Sequence, residues 1–326
     1  MAKELWVYAE AQNGTVANVV YELIGKAQEI AAQLSDARVA AVVLGNDTTA
    51  AVETLKGVGV DRIYSVEHEE LTQYRCDVYA TTMQTLVERH TPEYLFFGAT
   101  GVGSELAPTT AALLKTGLAA HCIDLCWNGE RLNCIVPAFG GKVVSEIYIP
   151  NARPVMASVR PGILGSSPAQ TGKEAELIRE DAAFLNGVSS AEEFLAFIPN
   201  EQAADNIETA EVVVSAGRGV STDQAWEEAK TLAGKLGGSV AWSRSFIDTG
   251  RVKDESNMIG TSGKAVRPKL LINVGISGAT QYTCGIGKSK TILSINRDPH
   301  AKIFEHSDYG VVGDAEKVLS AVLAKL

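Results

Sequence analysis

The sequence predicts an α/β chain of two domains, each organised around a parallel sheet. Three observations carry that expectation. The length, 326 residues, is about twice the roughly 150 residues of an ordinary domain, enough for two separate cores. Short, nearly continuous apolar runs alternate with stretches of helical periodicity, the pattern of strands buried on both faces beneath covering helices. The alternation stops at an acidic, polar stretch, Phe197–Glu211, and then restarts, which puts the domains at 1–204 and 205–326.

In chain order, Leu5–Ala9 is an apolar run of strand length. Ala17–Leu34 follows with Val20, Leu23, Ile24, Ala27, Ile30, Ala31 and Leu34 at helical spacing. Val39–Gly45 is the next strand, and Asp47 or Thr48 can cap a helix running through Lys56. The cycle repeats as Arg62–Val66, Tyr74–His90 and Tyr94–Thr100. From about Ala119 the texture changes. The β-type runs Ala119–Trp127, Leu132–Val136, Lys142–Ile149 and Pro154–Val159 succeed one another around the turn Phe139-Gly140-Gly141, which reads as a short antiparallel annex. Pro161–Gln170 is a loop by composition. In the second domain Glu211–Ala216, Ser239–Trp242, Pro268–Val274 and Ser289–Ile295 are strands. Thr222–Leu236 is a helix, and Asp314–Leu326 closes the chain as another with Asp314 as N-cap. The first domain is therefore nucleotide-binding-like with an annex, and the second a compact Rossmann-like unit.

Hydrophobic residues at 46% and charged residues at 21% are ordinary globular values and exclude a disordered or fibrous chain. Lys and Arg number 29 against 39 Asp and Glu, a formal charge of −10. That argues against nucleic acid and anionic membrane, which both demand basic surface. No run approaches the roughly 18 apolar residues of a membrane span. The start enters a strand-like run at once, leaving no room for a leader and giving a cytoplasmic expectation. Cys76, Cys122, Cys126, Cys134 and Cys284 form no CxxC and read as small core thiols, with no metal site.

The chemistry is expected at the turns after the second domain's strands. These are Gly217-Arg218-Gly219, Ser243-Arg244, Gly275 through Gln281, and Asn296-Arg297-Asp298. In an open α/β sheet a ligand binds beyond the carboxyl ends of the strands, where turns and helix N-termini offer N–H groups. Glycines allow close approach, and arginines supply charge for a phosphate. Simpler readings compete. A lone GRG is more often a tight turn, and Thr222 at the third glycine position breaks the nicotinamide dinucleotide fingerprint. Gly98 through Ser104 also lacks the spacing and reads first as a helix entry. Gly260 through Lys264 is only part of a P-loop. His68, His90 and His300 sit in polar stretches as surface residues, His121 reads as core or rim, and His306 precedes a turn. With no acid, base or nucleophile set, no catalytic residue is assigned. A redox carrier whose cofactor does the chemistry is favoured over a hydrolase.

The stretch PKLLINVGISGATQYTCGIGKSKTILSINRDPHAKIFEHSDYGVVGD, Pro268 to Asp314, resembles the FAD-holding domain of the electron transfer flavoprotein α subunit. Gly217-Arg218-Gly219, Trp242-Ser243-Arg244 and Ile259 through Lys264 resemble that family's other FAD loops in order. Gly117 through Ala120, Pro137 through Gly141 and Arg153 through Gly162 extend the resemblance over essentially the whole chain. The resemblance implies FAD in the second domain, a heterodimer with a β subunit packed on the first domain, and electron transfer between dehydrogenases of acyl-CoA or NADH type and an acceptor. It implies cofactor contacts from Gly217, Arg218 and Gly219, with Arg218 on the pyrophosphate. Ser243 would help hold the cofactor, and Arg244 would set its guanidinium near the flavin ring. Ile259, Gly260, Thr261 and Ser262 would follow, Ser262 offering its hydroxyl to flavin N5. Gly275, Ser277, Gly278, Ala279, Thr280, Gln281 and Tyr282 would wrap the ribityl chain and pyrimidine side, and Asn296 and Asp314 the adenosine end.

The sequence departs from the family at three points. Met258 and Thr261 stand where glutamines are usual, and Tyr282 where a histidine is usual, beside a flavin carbonyl. A tyrosine there would either offer a neutral hydroxyl instead of a charged donor or turn its ring away and leave that carbonyl to a backbone N–H of the Gly278–Gln281 turn. These departures bear on flavin potential and fit a specialised branch, such as a bifurcating or pathway-dedicated flavoprotein. They also keep an alternative open: a nucleotide-binding regulatory or assembly subunit of the same fold without redox flavin.

Overall fold

The computed structural model describes residues 3–138, 143–165, 174–196, 207–208 and 210–326. The chain divides into two compact units, residues 1–137 with 144–197 and residues 138–143 with 198–326. The Phe139-Gly140-Gly141 turn and most of the acidic stretch after Phe197 lie outside the described residues.

The first unit starts with β1 (Lys3–Tyr8), a hairpin of β2 (Ala11–Gln12) and β3 (Thr15–Val16), and α1 (Asn18–Ala31). It continues through β4 (Ala37–Gly45), α2 (Thr49–Lys56), β5 (Arg62–Glu67), α3 (Cys76–His90), β6 (Tyr94–Gly98) and α4 (Gly101–Leu114). β7 (Leu118–Cys122), β8 (Asp124–Trp127), β9 (Leu132–Ala138), β10 (Val143–Ile147), β11 (Val155–Val159) and β12 (Glu176–Arg179) complete it. A seven-stranded sheet of order β12-β5-β4-β1-β6-β11-β7 is parallel throughout. Strand β1 lies at its middle and shows why both faces are buried. Leu5 and Val7 point into one core with Val20, Leu23, Ile24 and Ala27 of α1. Trp6 and Tyr8 point into the other with Met83 and Leu86 of α3 and Leu106 of α4.

Four features differ from the sequence reading. The run Ala119–Trp127 is two strands, and its first part joins the main sheet beside β11 rather than the annex. The chain turns at His121, which has φ 56° and donates its N–H to Ser158 Oγ at 3.0 Å. An unbroken β-type run carries no sign of that bend. The annex is left with β8, β9 and β10, of which β8 and β9 are antiparallel. Strand β12, unforeseen after a Gly- and Pro-rich loop, adds to β5. His90 is not a free surface residue: its Nε2 lies 2.7 Å from Glu180 Oε1, and its ring packs 4.6 Å from that of Tyr64. Among the thiols, Cys126 is exposed and Cys284 half-buried.

Side-chain oxygens fill two backbone-donor positions in this unit, a carboxylate at one and a hydroxyl backed by a carboxylate at the other. Buried Glu22 accepts N–H groups of Gly162, Leu164 and Gly165 at 2.9, 2.8 and 3.1 Å. At the entry of α4, Thr100 accepts from Gly103 N–H at 2.9 Å and donates to Glu10. Gly98 through Ser104 is thus a helix entry with a carboxylate beside it, and burial pushes the Glu10 carboxyl up from its usual range.

The second unit runs β13 (Val212–Ala216), α5 (Asp223–Lys235), β14 (Ser239–Trp242), α6 (Arg244–Ile247), β15 (Leu270–Val274), α7 (Thr280–Thr283), β16 (Ile292–Asn296), β17 (Tyr309–Val312) and α8 (Ala315–Leu323). Its parallel sheet has the order β14-β13-β15-β16-β17. Thr222 caps α5, accepting from Ala225 N–H, and Asp314 caps α8. Strand β17 escaped the sequence reading because Gly310 interrupts it and all four of its residues are exposed. The strand order reverses between β13 and β15, which makes that gap the switch point where an open sheet receives a ligand.

Buried Glu4 ties the first unit's sheet together. It accepts from Trp6 Nε1 at 2.8 Å, Tyr64 Oη at 2.9 Å and Arg62 Nη1 at 2.6 Å. Glu4→Ala would leave two buried donors, Trp6 Nε1 and Tyr64 Oη, and the half-buried Arg62 Nη1 without their acceptor and is expected to cost about 3–5 kcal/mol. Urea unfolding of the full chain checks this, and a loss below about 1 kcal/mol would show that water replaces the carboxylate.

Candidate functional site

At the carboxyl ends of the second unit's strands lies a cleft of about 600 Å3. It is lined by the expected Arg218, Gly219, Ser243, Arg244, Ile259, Gly260, Thr261, Ser262, Gly275, Ser277, Ala279, Gln281, Tyr282, Asn296 and Asp314. Gly217, Gly278 and Thr280 do not line it. They shape it instead. A Cβ on Gly217 would sit 2.4 Å from the Gly275 carbonyl oxygen, and one on Gly278 2.2 Å from Ile303 N. Thr280 opens α7, its carbonyl accepting from Cys284 N–H at 3.2 Å.

The turns after β13 and β15 meet backbone to backbone. Gly217 N–H donates to Val274 O at 2.8 Å and Gly219 N–H to Gly275 O at 3.0 Å. A Cβ on Gly219 would fall 2.7 Å from Gly275 Cα, and Gly275 itself has φ +65°. The GRG sequence is therefore both a tight turn and part of the cleft wall, with Arg218 carried between the two glycines. A third turn is tied in by Asn296, whose Nδ2 donates to Ile276 O at 2.7 Å.

Cleft-lining residues outside the expected set are Ser221, Ser245, Asp248, Met258, Ile276, Arg297 and Ala315. Most are sequence neighbours of expected ones. Arg297, next to Asn296, had the clearest signal in its charge. Among the described residues neither Arg218 nor Arg297 has a carboxylate partner, and both are exposed. Arg244 is engaged: its guanidinium lies 2.7 Å from Glu255 and 3.6 Å from Asp248. Two guanidinia without partners beside closely approaching glycine turns suit a phosphate-bearing ligand.

Tyr282 lines the cleft, but its hydroxyl points inward. It donates to Asn273 Oδ1 at 2.6 Å, and Asn273 Nδ2 donates to Ser294 Oγ at 3.1 Å. Ser307 Oγ donates to the same Ser294 oxygen at 2.7 Å. Asn273 and Ser294 are register partners on adjacent strands, with Ser215 in the same row on β13. This polar row crosses an otherwise apolar sheet face, and Tyr282 supplies its donor. Burial pushes the phenol's pKa well up. The expected neutral hydroxyl beside a ligand carbonyl is thus committed to the core instead.

Among the described residues no group of three or more His, Cys, Asp or Glu could hold a metal ion. No described helix is long and apolar enough to cross a membrane.

Comparison with known proteins adds the following. A sequence family described as the electron transfer flavoprotein domain matches residues 5–185. A second, the electron transfer flavoprotein FAD-binding domain, matches residues 206–287, which favours the flavin-carrying reading over the flavin-free one. Electron transfer flavoprotein subunit alpha of Thermoanaerobacterium thermosaccharolyticum is 36% identical, covering 99% of this chain and 98% of that protein. The subunit alpha of Clostridium acetobutylicum is also 36% identical, with 99% and 97% covered. Lactate dehydrogenase (NAD(+),ferredoxin) subunit LctC of Acetobacterium woodii is 34% identical, with 98% and 76% covered. Among solved structures, MurG of Acinetobacter baumannii aligns at a TM-score of 0.33 and 10% identity over 99% of this chain and 90% of that one, too distant to bear on fold or function.

The inward hydroxyl sets a stability expectation. Tyr282→Phe keeps the ring but leaves Asn273 Oδ1 without its donor, at an expected cost of about 1–3 kcal/mol. Thermal and urea unfolding of the second unit within the full chain measure it. An unchanged midpoint would mean the polar row does not depend on the phenol.

Proposed function

Because the chain belongs to the electron transfer flavoprotein family as an α subunit, we propose that the cleft of its second unit holds FAD, with Arg218 and Arg297 gripping the pyrophosphate. The chain is an FAD-carrying electron-transfer subunit, and the domain doing so is assigned to residues 205–326. The observation that carries the site assignment is the pair of exposed guanidinia without partners at the switch point. When bound, FAD supplies the exchange of one or two electrons. The chain's residues bind, orient and bias it.

Ser262 and the turn through Gln281 enclose the flavin end, where Gly260, with φ +143°, lets backbone approach. Arg244 keeps its charge at every relevant pH, held at the cleft mouth by Glu255 and Asp248. With the Tyr282 hydroxyl turned inward, the pyrimidine edge of the flavin is left to backbone groups of the same turn. Asn296 and Asp314 serve the adenosine end.

The partner proposed for the first unit is an electron transfer flavoprotein β subunit, with dehydrogenases of acyl-CoA or NADH type exchanging electrons with the pair. LctC, by its name part of an NAD(+),ferredoxin lactate dehydrogenase, supports the second donor class. The annex offers the surface: Val144 is 55% exposed, Ile147 37% and Tyr148 46%. Apolar exposure of this kind marks interaction sites.

Two measurements test these assignments. Arg218→Ala and Arg297→Ala, made in the assembled complex, should each raise the FAD dissociation constant about 10- to 100-fold, the equivalent of a charge-assisted hydrogen bond. Fluorescence of released flavin reads it, and unchanged retention in both would move the pyrophosphate elsewhere. Val144→Asp should separate the two subunits on gel filtration. Co-elution at unchanged stoichiometry would place the interface on another face.

A further inference from the structure

Two helices of the second unit, α5 and α8, begin at the cleft and pack together through Ala225, Ala229, Ala315 and Leu319. In an open α/β sheet, such a helix N-terminus is the usual seat of a phosphate, because its first N–H groups lack intrahelical partners. At α8 it is filled from within, and ahead of α5 a carboxylate takes the N–H groups of the two residues before the helix. Asp314 Oδ1 takes the N–H groups of Glu316 and Lys317, both at 3.2 Å. The N–H groups leading into α5 go to a carboxylate from the other helix. Glu316 Oε1 accepts from Ser221 N at 3.2 Å, Thr222 N at 3.0 Å and Ser221 Oγ at 2.8 Å.

The Ser221 hydroxyl, first, and the backbone donors hold the Glu316 carboxyl below the usual glutamate range. On the same segment Arg251 donates to Ser221 O, and its Nε lies 3.1 Å from Asp223 Oδ1. The segment between Gly219 and α5 is thus clamped by one anion and one cation.

That clamp bears on binding because Arg218 stands between two glycines. A turn of that composition has the largest backbone entropy to lose when a ligand orders it. Its near end is fixed by the bonds from Gly217 and Gly219 to β15 and the turn after it. Its far end is fixed by Glu316. Ser221 and Ala315, which flank this contact, both line the cleft.

We infer that Glu316 is a positioning residue: it binds the N–H groups of the two residues that lead into α5, locks the turn that presents Arg218, and so holds that arginine ready for the cofactor's pyrophosphate. This rests on the FAD reading of the cleft. The resemblance does not supply it, since it carried no role for Glu316.

The test uses the full chain assembled with its β subunit, and sodium formate as the probe. Glu316→Ala should raise the FAD dissociation constant about tenfold, equivalent to one charge-assisted hydrogen bond. Formate, small enough to re-enter the vacated seat, should restore most of that affinity, and chloride at equal ionic strength should not. Glu316→Gln, which keeps a carbonyl acceptor, should fall between the two. A merely structural staple would lower the melting temperature of Glu316→Ala without changing FAD affinity, and that result overturns the inference. So does tighter FAD binding in the variant, or a weakening that formate leaves unrepaired. If the unaltered chain takes no FAD, the cofactor assignment falls together with this one; a failure confined to the variants removes this inference alone.

Discussion

The contact of two backbones at the switch point is the constraint on which the second unit depends. The turns after β13 and β15 approach so closely that a methyl group on Gly217, Gly219 or Gly275 would collide with main-chain atoms of the facing turn. Only glycine permits it. That contact closes the gap between the sheet's two halves and puts Arg218 at the cleft rim. It also directs the second turn on toward α7, where Tyr282 is fastened to the sheet. The entropic penalty of so many glycines is met by cross-ties: Asn296 to Ile276, Tyr282 to Asn273, and Glu316 to Ser221 and Thr222. The cleft is therefore rigid through hydrogen bonds between turns more than through side-chain packing.

Much of this was legible in the sequence, and the unread part has identifiable physical causes. Strand Ser239–Trp242, the helix beginning near Thr222 and the Asp314 cap followed from apolar runs and local side-chain chemistry. So did the position of the binding turns, because turn composition is a local property. Strand β17 was illegible because an exposed edge strand interrupted by glycine has no hydrophobic period to detect. The bend at His121 hid inside a continuous run. The direction of the Tyr282 hydroxyl could not be read at all. It depends on Asn273 and Ser294 falling in one row across two strands, a coincidence of register that no single stretch of sequence contains. Glu316 was missed for a related reason, since its partners lie 94 and 95 residues away.

A common device runs through both units. Backbone N–H groups that would attract a soluble anion are satisfied by the chain's own carboxylates: Glu22 in the first unit, Glu316 and Asp314 in the second. At the entry of α4 the Thr100 hydroxyl takes the backbone donor instead and donates its own hydrogen bond to Glu10. An acidic protein gains from this arrangement, because backbone donors stabilise the ionised carboxylates while the helix ends are stabilised in turn. Among the described residues the cleft-lining guanidinia without a carboxylate partner are those of Arg218 and Arg297, on the turns after β13 and β16.

The burial of the Tyr282 phenol has a consequence for protons. An imidazole in its place would titrate near neutrality and change the charge beside the bound group across the physiological range. A phenol whose pKa burial has raised above its ordinary value stays neutral throughout that range. Residue 282 therefore adds no change of charge to the cleft wall anywhere in that range.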